Sequence, residues 1–322
     1  MRSVRHLIGF LAGWICCSGA GATTPQTGRF VEVQTEHFIV RAPRGAANDV
    51  QQWGERCEAL KRELGAKWFA GAGEERGSEL DTEVGSGEAH DRDFAANRNR
   101  SVDRRDAAGR DDSDLKGSDP KADEVAWSPR CLVVVHGDAL SYLRAVPGGE
   151  RTVASAWVET EAGRVVTRQI DVRGDRADWL DGALAHELVH VLAADRFVRA
   201  PMPRWADEGL ALLADPHRKQ TLHDADFRRA SASRRQFRLA ELLALQDYPS
   251  PERMTTFYGQ SASVVRFLAA RGEPTEFVDF VEHALEHGYD AALRKIYDLD
   301  GVAELEIEWT KSLRTPSLLA AD

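Results

Sequence analysis

The sequence is poor in cysteine, lacks long apolar runs and carries no excess of positive charge. Only 4 cysteines occur in 322 residues, and neither their spacing nor their neighbours predict a cysteine-ligated metal site. No apolar stretch reaches the length of about 20 residues that a membrane-spanning helix needs. Acidic residues (52) outnumber basic residues (42), so the net charge of −10 argues against nucleic-acid binding.

The first 22 residues are typical of a secretory signal. A polar start with Arg2 and Arg5 precedes an apolar run over residues 7–17, and small residues at 20–22 provide a cleavage site. The apolar run is short for a membrane span, although an uncleaved N-terminal anchor is an alternative. We therefore expect an exported protein, periplasmic or extracellular, with no stable membrane span after cleavage.

Cleavage would remove Cys16 and Cys17 and leave Cys57 and Cys131. In an exported protein these two could form one disulfide. Two separate buried thiols are the alternative, because free cysteine packs as a small apolar side chain. The sequence leaves this choice open.

The composition divides the remaining chain into three parts. Residues 71–124 are rich in Gly, Ser, Arg and acidic residues and have few, aperiodic apolar residues, so we predict a disordered acidic insertion. The flanking segments, 23–70 and 125–175, are predicted to form one α/β part. Residues 176–322 are predicted to be mainly helical, so the expected fold class is α+β.

Periodicity predicts the individual elements. Period-two patterns predict a strand or short hairpin at 30–40 and strands at 131–136, 151–158 and 164–172. Helical spacing predicts helices at 46–69, 179–194, 204–214, 239–245, 258–270, 276–286, 291–297 and 302–313, with a turn or two at 139–146. The charged stretch after Pro216 is not assigned to a helix.

The segment His186-Glu187-Leu188-Val189-His190 carries the clearest chemical pattern. On a helix it places two imidazoles one turn apart on one face, where both can reach one metal ion. Glu187 is then placed to act on a water molecule at that ion, and Glu208 on the following helix would complete a three-ligand zinc site. The uncharged residues around the motif are typical of a buried helix. The alternative is a core helix whose histidines bind backbone groups.

The motif and the following segment, Pro203 to Ala211 (PRWADEGLA), together resemble the gluzincin group of thermolysin-like metallopeptidases, and more narrowly the bacterial peptidase MA-like domains. Weaker likenesses occur around Glu36-His37-Phe38, at 258–262 and at 304–309. The resemblance covers most of the chain outside residues 71–124, and it implies a zincin-like fold.

The resemblance implies His186, His190 and Glu208 as Zn²⁺ ligands and Glu187 as the general base. Gly209 is predicted to relieve crowding where two helices cross.

The oxyanion donor is less well marked. Tyr258 is the candidate, because such families often supply a Tyr or His from a later helix, and a Tyr that packs or caps its helix is the alternative. His217 and His223 are rivals, although their charged surroundings favour surface positions. Asp207 is predicted to lie on an exposed helix face, with a role in orienting a ligand histidine as the less favoured alternative.

The resemblance also implies an extended peptide substrate along a sheet edge formed by residues 154–158, with Trp157 lining a subsite. A core strand with one buried tryptophan is the alternative.

Three functions are compatible with these expectations. The first is an exported zinc metallopeptidase that cleaves a peptide or protein substrate. The second is a non-catalytic envelope binding or scaffold protein that keeps the fold, with or without the metal; the intact Glu187 favours the first. Hydrolysis of another amide or ester is a third. The oligomeric state and the cleavage preference are not predicted.

Overall fold

The computed structural model describes residues 30–70 and 127–314, together with the backbone of residues 4–8. The predicted insertion at 71–124 and the rest of the predicted signal segment lie outside these ranges. Within them, a mixed sheet packs with a larger set of helices.

Six strands form this sheet, in the order β1-β5-β6-β4-β3-β2. They are β1 (Val4–Ile8), β2 (Phe30–Gln34), β3 (Phe38–Pro43), β4 (Cys131–His136), β5 (Ala154–Glu161) and β6 (Arg164–Arg173). Strands β3, β4 and β6 are parallel neighbours, whereas β2–β3, β5–β6 and β1–β5 pair in antiparallel fashion. The structure therefore confirms a mixed α+β architecture.

The described residues contain ten α-helices. They are α1 (Val50–Leu64), α2 (Ala139–Ala145), α3 (Leu184–Arg196), α4 (Arg204–Leu213), α5 (His217–Ala232), α6 (Leu239–Ala244), α7 (Met254–Ala269), α8 (Pro274–His287), α9 (Tyr289–Tyr297) and α10 (Val302–Ser312). None of these helices has both the length and the apolar character that a membrane crossing requires.

The sheet and helices meet in one continuous core. In β3, Phe38, Val40 and Ala42 point into that core, while their neighbours are only partly buried, as the period of two requires. Helices α1 and α3 pack on strands of the sheet and touch each other. The buried face of the sheet thus supports α3 directly.

Helix α4 connects this layer to the helical half. It packs on α3 on one side and on α7 on the other. A Cβ atom at Gly209 would lie 2.5 Å from Val265 Cγ2 and 2.7 Å from the Ser261 carbonyl oxygen. The structure therefore confirms that this glycine permits a close helix crossing.

Helix α5 was missed by the sequence prediction. Only Phe227 and Ala230 of its 16 residues are buried, so the sequence has almost no apolar period to reveal it. Its packing against α7 supplies the burial that stabilises it. Two other helices differ in detail. Helix α7 begins four residues earlier than predicted, and a π-helical turn at Trp179–Ala183 leads into α3.

Cys57 and Cys131 are both buried free thiols, so of the two alternatives the structure shows the unpaired one. Burial raises the pKa of Cys57 to about 12 and that of Cys131 well above its ordinary value. Both cysteines pack as small apolar side chains within the core.

Candidate metal centre

The two histidines of the HELVH segment lie on one face of α3. Because four residues make just over one helical turn, the rings of His186 and His190 approach with their centroids 5.1 Å apart. Every residue from 184 to 193 is buried, so both imidazoles and Glu187 are shielded from solvent. The motif therefore occupies the buried helix that its apolar surroundings predicted.

The third group comes from α4. The chain leaves α3, and Pro203 precedes the first residue of α4, where its missing N–H is no loss. The docking of α4 on α3 buries Glu208 to 1% exposure. Glu208 Oε2 lies 3.9 Å from His186 Nε2 and 4.0 Å from His190 Nε2.

These three side chains fit a metal ion in both chemistry and distance. One ligand atom from each lies within 4.8 Å of the others. Tetrahedral ligands bound to zinc at about 2.0–2.2 Å lie about 3.4 Å apart and can be no more than about 4.4 Å apart, so both distances from Glu208 are within reach of one ion and would shorten on binding. Glu208 Oε2 is buried and has no hydrogen-bond partner among the described residues, which is costly unless a cation accompanies it. The group could therefore bind a metal ion.

Asp207 lies beside the site, so the predicted exposed helix face is wrong. It is buried, and His190 Nδ1 donates a hydrogen bond to Asp207 Oδ1 over 2.7 Å. This bond leaves His190 Nε2 to face Glu208. A carboxylate behind a ligand imidazole sets its tautomer and raises its basicity.

Asp215 lies beside the ring of His186, and the sequence analysis missed it. Its Oδ2 lies 3.4 Å from His186 Nδ1, and Lys219 donates to its Oδ1 over 3.0 Å. Asp215 is buried just beyond the end of α4, seven residues after Glu208. Seven residues are two helical turns, so this spacing could have placed both carboxylates on one side of α4.

Tyr248 is a second residue that the sequence analysis missed. Its hydroxyl donates a hydrogen bond to Glu208 Oε1, which leaves Oε2 directed toward the histidines. Burial, followed by the charge of Glu208, raises the pKa of Tyr248 far above its usual value, so the hydroxyl stays a donor. Tyr248 lies in a loop after α6, where no periodic pattern marks a functional residue.

Tyr258 is buried on α7 near the same charges. Burial raises its pKa, Glu208 and Glu187 raise it further, and Arg204 opposes them. The ring of His223 on α5 lies 6.1 Å from the ring of Tyr258, centroid to centroid. His223, predicted to lie on the surface, is only partly exposed, and its Nδ1 atom is buried.

His217, at the start of α5, is exposed as predicted. It therefore stands apart from the buried cluster of ligands.

Glu187 and His190 also have raised pKa values. Burial raises the pKa of Glu187 above 4.5, while His186 and His190 act in the opposite direction. Burial would lower the pKa of His190, but Asp207, Glu208 and Glu187 together raise it to about 10. The surplus of carboxylates thus favours a positive charge among them, which a bound cation would supply.

Strand β5 runs beside α3 and brings backbone close to the site. Ala154, Ala156 and Val158 are buried, whereas Trp157 is 38% exposed, so the alternative of a buried tryptophan is wrong. The far edge of β5 pairs with β1, with residue 7 opposite Trp157. The edge expected to receive a peptide is thus covered by residues 4–8 of the chain.

The chain matches no protein-family model, no curated protein and no solved structure. Support for a metal centre therefore comes from the set of residues and their distances in the structure.

Proposed function

We propose that the protein is an exported zinc metallopeptidase of the gluzincin type, with a zincin-like fold. One observation carries the proposal. His186, His190 and Glu208 converge from two helices, and Glu187 is buried beside them. The segments HELVH and WADEG, whose resemblance implies this arrangement, supply all four residues.

Zinc suits this set of donors. Two imidazole nitrogens and one carboxylate oxygen are typical ligands of catalytic zinc, and three protein ligands leave a fourth position for substrate or water. When bound, zinc supplies a water acidified to a pKa of about 7 and polarises the carbonyl of the scissile bond. Asp207 and the Tyr248 hydroxyl hold His190 and Glu208 in place for this role.

Glu187 is the proposed general base. Its Oε2 atom is buried and lacks a hydrogen-bond partner among the described residues, so no neighbouring side chain occupies this acceptor. The carboxylate takes a proton from the attacking water and then delivers it to the nitrogen of the leaving amine. Its raised pKa suits a group that must both accept and release this proton.

Tyr258 is the proposed donor to the oxyanion that forms as water adds to the carbonyl. Burial and nearby carboxylates keep its hydroxyl protonated. Tyr248 is less suited to this role, because its hydroxyl already donates to Glu208.

The proposed substrate is an extended peptide held along β5. Strand β1 already pairs with residues 156–160 of β5 in antiparallel register, which supports the capacity of this edge to bind a further strand. Main-chain hydrogen bonds at such an edge bind many sequences, so side-chain preference must come from neighbouring cavities.

The decisive experiment combines zinc analysis with hydrolysis of a mixed peptide library. The protein spanning residues 23–322 is compared with Glu187→Gln and with Glu286→Gln, a matched change on an exposed part of α8. We expect stoichiometric zinc in all three and cleavage by all but Glu187→Gln. Zinc with no cleavage by any of them would favour the non-catalytic scaffold, and no zinc would reject the site.

A further inference from the structure

A cavity of about 490 Å³ lies beside the metal centre, bounded in part by His190 and Asp207. Its volume is in the range of small-molecule binding sites, about 300–1,000 Å³. Apolar side chains from four segments form most of its wall: Val158, Phe197, Met202, Leu243, Leu245 and Leu285.

The cavity includes an apolar side chain that is open to solvent. Leu285, near the end of α8, is 40% exposed where it borders the cavity. Solvent-exposed leucine beside a concave apolar surface gains free energy when an apolar group covers it. An apolar group is therefore the best complement to this wall.

Arg204 adds a positive charge to the same cavity. It is partly buried at the first position of α4, and its guanidinium carbon lies 5.1 Å from the centroid of the Tyr248 ring. Among the described residues, none forms a hydrogen bond or ion pair with this guanidinium. Stacking on a ring face leaves the planar N–H groups free at the edges of the guanidinium.

Arg204 lies in the first turn of α4, where Asp207 is the acidic residue. The N-terminus of a helix carries partial positive charge, so a cation there is unfavourable by itself. A carboxylate bound to Arg204 would neutralise both charges and could form two parallel hydrogen bonds.

We infer that the cavity binds a large apolar side chain of the substrate and that Arg204 binds a carboxylate close to that side chain. This inference rests on the proposed function and specifies its substrate class, a peptide with a bulky apolar residue and a carboxylate close to it. The carboxylate is either the C-terminal group of the peptide or an acidic side chain, since both present the same chemistry to a guanidinium.

Binding can be measured without turnover by using zinc-loaded Glu187→Gln protein. Calorimetry compares acetyl-Ala-Ala-Phe-Ala as the free acid, its C-terminal amide, the acid with Ala in place of Phe, and the amide with Glu as its last residue. Loss of the phenyl group should weaken binding about 10- to 100-fold. If the acid binds better than its amide, the group that Arg204 binds is the terminal carboxylate. If the Glu amide binds better than the Ala amide, the group that Arg204 binds is an acidic side chain.

Two pairs of variants assign these effects to the cavity. Ala244→Trp fills the cavity from an exposed position on α6, and Ala240→Trp is its control on the same helix outside the cavity. Arg204→Gln removes the guanidinium, and Arg199→Gln is a matched change on the exposed loop after α3. Thermal melting shows whether each variant is folded.

The inference predicts that Ala244→Trp abolishes the preference for Phe and that Arg204→Gln abolishes the preference for a carboxylate, while both controls keep them. Equal binding of the Phe and Ala peptides, no measurable binding at millimolar concentration, or a carboxylate preference that survives Arg204→Gln would overturn it. Selective binding without hydrolysis by the unmodified protein would reject the proposed function and keep this site. Hydrolysis by the unmodified protein together with binding that does not distinguish the peptides would keep the proposed function and reject this site.

Discussion

His190 Nδ1 donates to Asp207 Oδ1 over 2.7 Å, while Nε2 of the same ring faces Oε2 of the next residue, Glu208, at 4.0 Å. Two consecutive residues of α4 therefore contact opposite edges of one imidazole. A shift of α4 would therefore move the Glu208 carboxylate and the Asp207 carboxylate that accepts from His190 together.

Removal of the Asp207 carboxylate should weaken metal binding. Asp207→Ala is expected to lower zinc affinity about 10- to 100-fold. Asp207→Asn keeps an acceptor for His190, so its zinc affinity should lie between those of Asp207→Ala and the unmodified protein. Competition with a zinc-binding dye measures the affinities. Asp181→Ala changes an exposed carboxylate and is the control. Equal affinity in the Asp207→Ala and unmodified proteins would contradict the role given to Asp207.

The two buried tyrosines should behave differently when each loses its hydroxyl. Tyr248→Phe removes the donor to Glu208 and should reduce zinc affinity. Tyr258→Phe should leave zinc affinity unchanged and lower kcat about 100-fold if its hydroxyl binds the oxyanion. Zinc titration and steady-state kinetics on both variants distinguish these outcomes. An unchanged kcat in Tyr258→Phe would mean that another group donates to the oxyanion, and His223 would be the next candidate.

Gly209→Ala should destabilise the fold by about 1–3 kcal/mol, because the new methyl group would overlap Val265 and the Ser261 carbonyl. Gly65→Ala is the matched control, since a Cβ at this helical glycine meets nothing within 4 Å. The control should leave stability unchanged or raise it by up to about 1 kcal/mol. Urea unfolding gives both values, and equal midpoints would refute the close crossing of α4 and α7.

Removal of residues 1–22 should increase peptide binding and hydrolysis, because β1 covers the edge of β5. Leu7→Pro in the full chain should have the same effect by weakening strand pairing without a change in length. A synthetic peptide with the sequence of residues 4–8 should inhibit the shortened protein in competition with substrate. Identical rates for the full and shortened chains would show that β1 does not block the edge.

Cys57 and Cys131 should resist a thiol reagent at pH 8 in the folded protein. Both are buried, and the raised pKa, about 12 for Cys57, leaves almost no thiolate at that pH. After unfolding, protein that lacks residues 1–22 should react with two equivalents of reagent. A count of zero after unfolding would indicate a disulfide instead.

The sequence predicted the parts of the site that depend on regular helices. His186, Glu187 and His190 have fixed spacing on a strongly apolar helix, and α4 is bounded by prolines, so both helices were found within a few residues. The hairpin of β5 and β6 was also predicted, although β5 begins at Ala154 and extends to Glu161.

The groups around the ligands were not predicted, because tertiary packing places them. Tyr248 reaches Glu208 from a loop, and His223 lies on α5, whose sequence shows little apolar period. Asp207 carries no local mark that separates a buried carboxylate from an exposed one. Its burial follows only from the docking of α4 on α3, which no pattern within α4 specifies.

The three candidate ligands come from two helices that are joined only by an irregular loop, so a bound ion would have a mechanical role in addition to a chemical one. In an unfolded chain His190 and Glu208 are 18 residues apart, so an ion held by both closes a loop that the chain must otherwise close at an entropic cost. Binding free energy then becomes folding free energy, and chelation would loosen the contact between the sheet layer and the helical half. The same ion would join two halves of the fold, and its removal would make this contact the first to open.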